Sequence, residues 1–434
     1  MISVLHITPH LGGGVGKAVS GLIAESLRLG LQTQHSIATL EVLEKDHHAY
    51  TLRNLNCPVF ENIAKEEIFR LMKQADVVQI EFWNHPLIPD LLVSHEFPAA
   101  RVLFWCHISG LFTPVIPASL VDCCNKFIFT SNCSRKSEEI QSLNAPNVSK
   151  IETISSGGGL ETLYYEPKKM NKENLKFGYI GTLNFAKLHP DYINFLSGVT
   201  LDNFNVELYG DNNNECKLKN QLNKLKINNL LRFNGYTSDV QSTLRELDVL
   251  IYLLNPYHYG TAENALIESM AMGVVPIILA NPAELEIVQD EVNGLVISTP
   301  DELNSSIKNL IDDNHYRIKL SISAAESSRA RFSFKDSAIK FDEIYKQVVL
   351  EEKVVHDFFK VFGNKPSSWF LAFQKDKFLF TKKSKRQTKD RFTHPLLVES
   401  TKGSVAHFNK YFKDDGLLNE WLQYIENLEL EDGI

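Results

Sequence analysis

The stretch ITPHLGGGVGKAVSGL, residues 7–22, places a glycine-rich turn between an apolar strand and an amphipathic helix. The strand is ISVLHI, residues 2–7, and the helical pattern covers residues 15–29. A strand that enters a glycine turn and then a helix is typical of the first unit of an open α/β sheet, with backbone amides exposed where the helix begins. This stretch therefore predicts a parallel, doubly wound sheet.

The glycines do not match either of the common nucleotide-binding loops. A P-loop needs Ser or Thr after its Gly-Lys pair, but Ala18 follows Gly16 and Lys17, and Leu11 stands where the first glycine belongs. The dinucleotide fingerprint needs a third glycine at the position of Lys17. Two interpretations remain, a tight turn without a ligand and a backbone that a ligand approaches closely, and the second is favoured.

Composition limits the class of protein. The chain has 434 residues, of which 44% are apolar, so it can form two hydrophobic cores. The six cysteines show no metal-binding or disulfide spacing, and no segment has the features of a signal peptide or a membrane span. The net charge of -8 argues against general nucleic-acid binding. These features predict a cytoplasmic protein, soluble or peripheral on the cytoplasmic face of a membrane.

One basic segment stands out on this acidic chain. Residues 375–391 contain eight Lys or Arg and two Asp, together with Phe378 and Phe380. Near an anionic membrane surface each cation contributes about 1 kcal/mol, which is enough for reversible docking. A solvated charged loop is an equally acceptable interpretation.

The alternation of strands and helices occurs twice along the chain. A second series begins at LKFGYIGTL, residues 175–183, after the polar segment EPKKMNKEN at residues 166–174, which has the composition of a linker. The pattern predicts an α/β protein with two doubly wound, Rossmann-like domains that face a cleft. We place an N-terminal domain at 1–165, a second domain at 166–331, a closing helix that packs back on the first domain at 332–350, and a mostly helical, basic and aromatic extension at 351–434.

The stretch YGTAENALIESMAMGVVPIIL, residues 259–279, carries the most chemical information. Thr261 suits the N-cap of a helix over residues 263–272, and a buried strand follows. Asn264 and Glu268 share one face of that helix. A carboxylate there suits a pair of ligand hydroxyls, and the amides at the start of the helix suit a phosphate. The alternative for Glu268 is an ordinary surface glutamate.

These blocks together resemble the retaining, nucleotide-sugar-dependent glycosyltransferases of the GT-B fold, in the group 1 or GT4-like set. The resemblance covers about residues 1–350 and is stronger in the second half. In order along the chain the matching blocks are GYIGTLNFAK, LYGD, RFNGY, LDVLIYLLNP, ALIESMAMGVVPI and PAELEIVQDEVNGLVIS, followed by RFSFKDSAIKFDEIYKQV, which is similar to the closing helix of the family.

The resemblance implies roles for individual residues. Glu268 matches the family's second motif glutamate, which holds the donor ribose, Lys187 matches its phosphate-binding lysine, and His107 matches the histidine at the donor sugar. The family's first glutamate is replaced by Gly260, for which Glu263 or an amide near Thr261 is expected to compensate, and its arginine is replaced by Thr182. The implied set is catalytic His107 and Glu263; donor-binding Gly13, Gly14, Thr182, Lys187, Thr261, Asn264, Ala265 and Glu268; and acceptor-binding Trp83, Asn84 and His85.

Each assignment has a simpler alternative. His107 could be a packed histidine at the end of a strand, and IEFWNHP, residues 80–86, could be plain loop packing. We expect Glu268 and Lys187 to face His107 and the glycines at 12–14 across one gap, where donor and acceptor meet.

The expected chemistry uses no cofactor and no metal. The sequence contains no Asp-x-Asp pair, no HExxH and no Cys/His cluster. The expected partners are a UDP- or GDP-linked sugar and a glycan, glycolipid or lipid-linked acceptor in surface polysaccharide synthesis. A nucleotide-sugar epimerase and a non-catalytic partner of another transferase are the alternatives, and an oligomer is compatible with the sequence.

Overall fold

The computed structural model describes residues 1–44, 47–168, 174–211, 213–380 and 399–432. These residues form two compact units. Unit 1 contains Met1–Gly158, the short segment Tyr259–Ala262 and the described residues from Phe334 on. Unit 2 contains the described residues of Gly159–His258 and Glu263–Ser333. The division after Gly158 precedes the predicted domain boundary at 165, and most of the predicted linker, residues 169–173, lies outside the described residues.

The first unit is built on a seven-stranded parallel sheet with the order β3-β2-β1-β4-β5-β6-β7. The order reverses between β1 and β4, and ligands of such sheets bind outside the carboxyl ends of the strands at this point. The strands are β1 Ile2–Thr8, β2 Thr33–Thr39, β3 Val59–Phe60, β4 Val77–Phe82, β5 Val102–Cys106, β6 Lys126–Phe129 and β7 Ile151–Thr153.

The second unit repeats this design with six parallel strands in the order β10-β9-β8-β11-β12-β13. Its order reverses between β8 and β11. The strands are β8 Phe177–Ile180, β9 Val206–Tyr209, β10 Leu231–Gly235, β11 Val249–Tyr252, β12 Val275–Leu279 and β13 Leu295–Ile297. The predicted α/β fold with two doubly wound, Rossmann-like domains is confirmed.

Helices connect the strands and continue beyond the second sheet. No helix among the described residues is both long and apolar enough to cross a membrane. In chain order the α-helices are α1 Gly13–Arg28, α2 His47–Asn54, α3 Lys65–Gln74, α4 Leu87–Leu92, α5 Ala118–Asp122, α6 Glu138–Gln141, α7 Ala145–Val148, α8 Tyr192–Ser197, α9 Glu215–Leu225, α10 Val240–Glu246, α11 Asn264–Ala271, α12 Pro300–Asp312, α13 Asn314–Arg331, α14 Phe334–Val348, α15 Phe359–Phe362, α16 Pro366–Ala372, α17 Val405–Tyr411 and α18 Gly416–Asp432.

Helix α14 packs on the sheet of unit 1. Thr33 donates a hydrogen bond of 2.9 Å to Asp342, and the Tyr345 hydroxyl donates one of 2.6 Å to Gln79. The ring of Phe334 lies so close to Gly21 and Gly158 that a Cβ added at either glycine would be 2.2 or 2.6 Å from a ring carbon. These two glycines are thus required by the packing of the helix.

The C-terminal extension contributes to the core of unit 1. Phe358 and Phe373 are fully buried and contact the sheet, with ring centroids 6.1 Å from Phe104 and 5.9 Å from Phe82. Phe408 and Trp421, from α17 and α18, are buried in the same apolar cluster. The mostly helical character of the extension is confirmed, and its aromatic residues fill a core.

Two glycines of the turn after β1 are required by the local backbone, whether or not a ligand binds there. Gly13 has a φ of 63°, in the left-handed region that glycine adopts without strain. A Cβ on Gly16 would lie 1.9 Å from the carbonyl oxygen of Leu11, so only glycine allows this close approach.

A Gly16→Ala substitution is therefore expected to destabilise the protein, because the first turn of α1 must move away from Leu11. We expect a loss of about 1–3 kcal/mol of unfolding free energy, the usual cost of overpacking. Urea denaturation of the variant measures it. Gly416→Ala is the control, since a Cβ there meets no atom within 4 Å. Equal stability of the two variants would contradict the assignment.

Candidate functional site

Lys187 and Glu263 form a buried ion pair at the carboxyl edge of the sheet of unit 2. The Lys187 Nζ lies 2.9 Å from the Glu263 Oε2, and the hydroxyl of Tyr252, the last residue of β11, donates a 2.6 Å hydrogen bond to the same oxygen. Lys187 follows the glycine turn after β8, and Glu263 immediately precedes α11. Because β8 and β11 flank the reversal in strand order, the pair lies where such sheets bind ligands.

His258 joins this pair to a second buried carboxylate. Its Nε2 lies 3.0 and 3.2 Å from the two oxygens of Glu284, and its Nδ1 lies 3.8 Å from Glu263. Burial alone would lower the pKa of His258, but Glu284 and Glu263 outweigh burial and raise it. Burial would raise the pKa of Glu263, but Lys187 and His258 lower it to about 2. Lys187 and His258 thus lie against the two carboxylates of this buried cluster.

The same three side chains have the geometry of a metal site. His258, Glu263 and Glu284 each offer a ligand atom, and these atoms lie within 4.8 Å of one another. The Lys187 ammonium already lies against Glu263, and the raised pKa of His258 favours its protonated form, which does not bind metal. The cluster is therefore balanced by cations of the chain. The absence of a metal from the reaction stays a prediction.

Helix α11 begins one residue later than predicted, and Thr261 is not its N-cap. The helix covers Asn264–Ala271, and its N-cap is Glu263, without a side-chain capping bond. Thr261 belongs to unit 1, where its hydroxyl accepts a 2.6 Å hydrogen bond from Thr130. The prediction was wrong because a distant partner engages the hydroxyl that would have capped the helix.

Three predicted donor-binding residues lie on one side of α11. Asn264, Ala265 and Glu268 are half-buried, whereas Leu266 and Ile267 on the other side are buried in the core. The predicted sharing of a face by Asn264 and Glu268 agrees with this arrangement. Their contact with a donor stays a prediction.

Thr182 lies in the turn after β8, five residues before Lys187. Its carbonyl accepts a 2.8 Å hydrogen bond from Tyr179, and its side chain is half-buried. Asn184, two residues further on, is 6% exposed, and its Oδ1 has no hydrogen-bond partner among the described residues. A buried acceptor of this kind is costly unless a donor reaches it.

In unit 1, His107 is held by a buried carboxylate. His107 follows β5, and its Nε2 lies 3.0 Å from the Oε2 of Glu81, which is completely buried in β4. Burial would raise the pKa of Glu81, but hydrogen bonds from His107 and His6 outweigh it, and the pKa is lowered. Since the carboxylate only accepts, the Nε2 of His107 donates, and in the neutral ring Nδ1 is the remaining acceptor.

The contacts of Glu81 continue into the core. Its Oε1 lies 2.9 Å from the Nδ1 of His6 and accepts a 2.8 Å bond from Gln79. The Nε2 of His6 lies 2.9 Å from His35, for which burial holds the pKa well below its usual value. His107 is thus the outer end of a polar chain that crosses β5, β4, β1 and β2.

The predicted acceptor residues follow β4 and are more buried than a binding surface requires. Trp83, Asn84 and His85 are 8%, 4% and 1% exposed. The Nζ of Lys402, from the extension, lies over the Trp83 ring at 4.9 Å from its centroid. Gly13 and Gly14, by contrast, are exposed at the start of α1.

The predicted basic segment is described only in part. Lys375 lies 3.4 Å from Glu138 of unit 1, and Phe380 is buried. Residues 381–391, which carry most of its charge, lie outside the described residues.

The two doubly wound, Rossmann-like units have the fold of solved GT-B glycosyltransferases. Residues 164–327 match the family model described as Glycosyl transferases group 1. The matched segment includes Lys187, His258, Glu263 and Glu284. The predicted group 1 resemblance is therefore confirmed.

Solved structures with this fold share little sequence with the chain. HepE of Anabaena, in complex with UDP and glucose, has 15% identity and a TM-score of 0.64, over 80% of this chain and all of HepE. A glycosyltransferase of Rickettsia africae has 17% identity and a TM-score of 0.63, over 81% of this chain and 99% of its own. A variant of S. aureus TarM in complex with fondaparinux, alpha-GlcNAc-glycerol and UDP has 10% identity and a TM-score of 0.63. The match covers 80% of this chain and 100% of the TarM chain. No curated protein matches the sequence.

Proposed function

We propose that this protein is a retaining glycosyltransferase that moves a sugar from a UDP- or GDP-linked donor to a glycan, glycolipid or lipid-linked acceptor. The observation that carries the proposal is the buried Lys187–Glu263 pair at the carboxyl edge of the sheet within the matched family segment. The UDP complexes of HepE and TarM, which have the same fold, favour a uridine nucleotide. We place the reaction in surface polysaccharide synthesis.

The departure of a nucleoside diphosphate requires positive charge at the leaving group. Lys187 supplies it, and its side chain remains 23% exposed while Glu263 is buried. Glu263 holds the ammonium in place from the protein side, and the charge of His258 compensates the second carboxylate, Glu284. The half-buried face of α11 that bears Glu268 then receives the ribose hydroxyls.

The resemblance implies a catalytic role for Glu263 in place of the motif glutamate that is missing at Gly260. Its carboxylate does not face solvent, because Lys187, Tyr252 and His258 surround it. We therefore assign Glu263 to positioning Lys187. His107 is the proposed catalytic residue at the donor sugar, and its Nδ1 accepts a hydrogen bond from a sugar hydroxyl. The anomeric configuration is retained through an oxocarbenium-like ion pair on the donor's own face.

The proposed reaction needs neither a metal nor a cofactor, since Lys187 and the amides at the start of α11 neutralise the diphosphate. We place the enzyme in the cytoplasm, where residues 375–391 dock it on an anionic membrane surface that carries a lipid-linked acceptor.

The test is release of nucleoside diphosphate from UDP-, GDP- and ADP-sugars, with and without candidate acceptors. We expect release from one donor to depend on an acceptor and to persist in EDTA. Free epimerised sugar without an acceptor would instead identify an epimerase. Binding without turnover would identify a non-catalytic partner, and loss of turnover in EDTA would refute the metal-free reaction.

A further inference from the structure

Two segments of unit 2 carry the charged groups of the candidate site. Lys187 lies in the segment between β8 and α8, whereas His258 and Glu263 lie between β11 and α11. The ion pair between Lys187 and Glu263 joins them through side chains. A lysine side chain is long and flexible, so an ion pair by itself does not fix the place of the ammonium. The backbones of the two segments must be held together as well.

Asn255 contacts both segments with its backbone and its side chain. Its N–H donates a 2.7 Å hydrogen bond to the carbonyl of Lys187, and its Nδ2 donates one of 2.8 Å to the carbonyl of Phe185. On the other side, its Oδ1 accepts a 2.9 Å bond from the N–H of Tyr257, and its carbonyl accepts a 3.0 Å bond from the N–H of His258. Asn255 thus joins the backbones of the two segments.

The side-chain amide of Asn255 has one orientation. A carbonyl only accepts and a backbone N–H only donates, so Nδ2 must face Phe185 and Oδ1 must face Tyr257. Asn255 is 2% exposed, so both bonds are shielded from water, and the loss of one would leave a buried backbone group without this partner. Aspartate lacks the donor, and alanine lacks both groups.

The residues next to Asn255 extend the junction beyond the lysine. Leu188 and Leu254 form an isolated antiparallel bridge, and the N–H of His189 donates a 3.0 Å hydrogen bond to the carbonyl of Leu253. The backbone on the carboxyl side of the lysine is therefore held by the same stretch that contains Asn255.

We propose that Asn255 is a positioning residue of the transferase, which holds the Lys187 ammonium at the leaving diphosphate. Its amide links Phe185, two residues before the lysine, to Tyr257, so a shift of either segment would move the cation relative to Glu263. A misplacement of about 1 Å can lower a reaction rate about a hundredfold. The role at the diphosphate rests on the proposed transferase function, whereas the junction itself does not.

The kinetics of matched variants test this role. Asn255→Ala should lower kcat by about tenfold or more, with a smaller change in the KM of the donor, because Lys187 acts on charge that develops in the transition state. Asn293→Ala is the control. Asn293 is 3% exposed, and its amide accepts from the N–H of Gln289 and donates to the carbonyl of Ile287, but it precedes β13 at the amino end of the strand. Both variants should lower the midpoint of urea denaturation, and only Asn255→Ala should lower kcat.

A third variant separates the junction from the local turn. In Asn255→Ser the hydroxyl can still accept from the N–H two residues further on, as serine does in such turns, but it cannot reach Phe185 as the amide does. This variant should lower kcat as Asn255→Ala does, with a smaller loss of stability.

The reactivity of Lys187 provides a measurement that needs no substrate. An amine is acylated only after it loses its proton, and a carboxylate in contact with it opposes that loss. Brief acetylation with acetic anhydride, followed by mass spectrometry, should modify Lys187 more in Asn255→Ser than in the wild type, relative to Lys219 of the same sample. Asn293→Ala should label as the wild type does.

Three results would overturn the proposal. They are an unchanged kcat in Asn255→Ser, unchanged labelling of Lys187 in that variant, and an equal loss of kcat in Asn293→Ala, which would assign the loss to stability alone. If the wild type releases no nucleoside diphosphate from any donor, the transferase function is refuted, and the labelling then decides whether Asn255 holds Lys187.

Discussion

Replacing Lys187 by methionine is expected to lower kcat/KM for sugar transfer by about a hundred- to a thousandfold, the usual cost of losing one group that stabilises charge in a transition state. The substitution removes the cation from the leaving diphosphate. It also leaves Glu263, which is 2% exposed, without its closest cation. Removing one partner of a buried ion pair costs about 3–5 kcal/mol, so the unfolding free energy should fall as well.

The two effects are separated by a second variant. Lys187→Met combined with Glu263→Gln removes both charges, so most of the lost stability should return while kcat/KM stays low. Lys219→Met is the matched control, because Lys219 pairs with Glu215 on the surface of the same unit. Donor kinetics and urea denaturation measure both quantities. Activity that recovers along with stability in the double variant would remove Lys187 from the reaction.

The repeated strand, glycine turn and helix made the fold predictable. Both sheets are formed by short apolar runs that alternate with amphipathic helices along the chain. This periodicity depends only on residues close in sequence, so it can be recognised without knowledge of the tertiary contacts. The helix over residues 15–29 was predicted from this pattern, and α1 covers Gly13–Arg28. The division of the chain was harder to place, because Phe334 and the residues after it join unit 1 through contacts distant in sequence.

Only part of the candidate site could be predicted. Lys187 and Glu263 were singled out separately, but their pairing was not, because Glu263 stands three residues after the position of the missing motif glutamate. His258 and Glu284 were missed, since a lone histidine or glutamate in a loop carries no pattern. Thr261 was misplaced for the same reason: its partner, Thr130, is distant in sequence.

The sequence of β4 carries a signal for the role of Glu81. The strand VVQIEF is buried at all six positions, as a central parallel strand should be, and it contains a glutamine and a glutamate. A carboxylate in such a strand needs hydrogen-bond donors from neighbouring strands. Those donors are His107, which follows β5, and His6, which lies within β1.

Replacing Glu81 by alanine should destabilise unit 1 by about 3–5 kcal/mol, because His6, His107 and Gln79 lose a buried hydrogen-bond partner together. Glu81→Gln keeps the shape of the side chain and should lower the unfolding free energy by a smaller amount. Its neutral amide, however, can no longer hold His107 as a carboxylate does. We therefore expect kcat to fall by about tenfold or more in Glu81→Gln, with a smaller change in KM, because the orientation of His107 matters at the sugar.

The pH dependence of stability distinguishes this carboxylate from a surface one. The pKa of Glu81 is lower in the folded protein than its ordinary value of 4.5, so its stabilisation is complete above that pH and is lost as the pH falls through the folded pKa. The unfolding free energy of the wild type should therefore fall more steeply below pH 4.5 than that of Glu81→Gln. Glu152→Gln, on β7 of the same sheet with a side chain that is 45% exposed, is the control and should follow the wild type. If Glu81→Gln follows the wild type in acid as well, Glu81 does not carry the buried charge that orients His107.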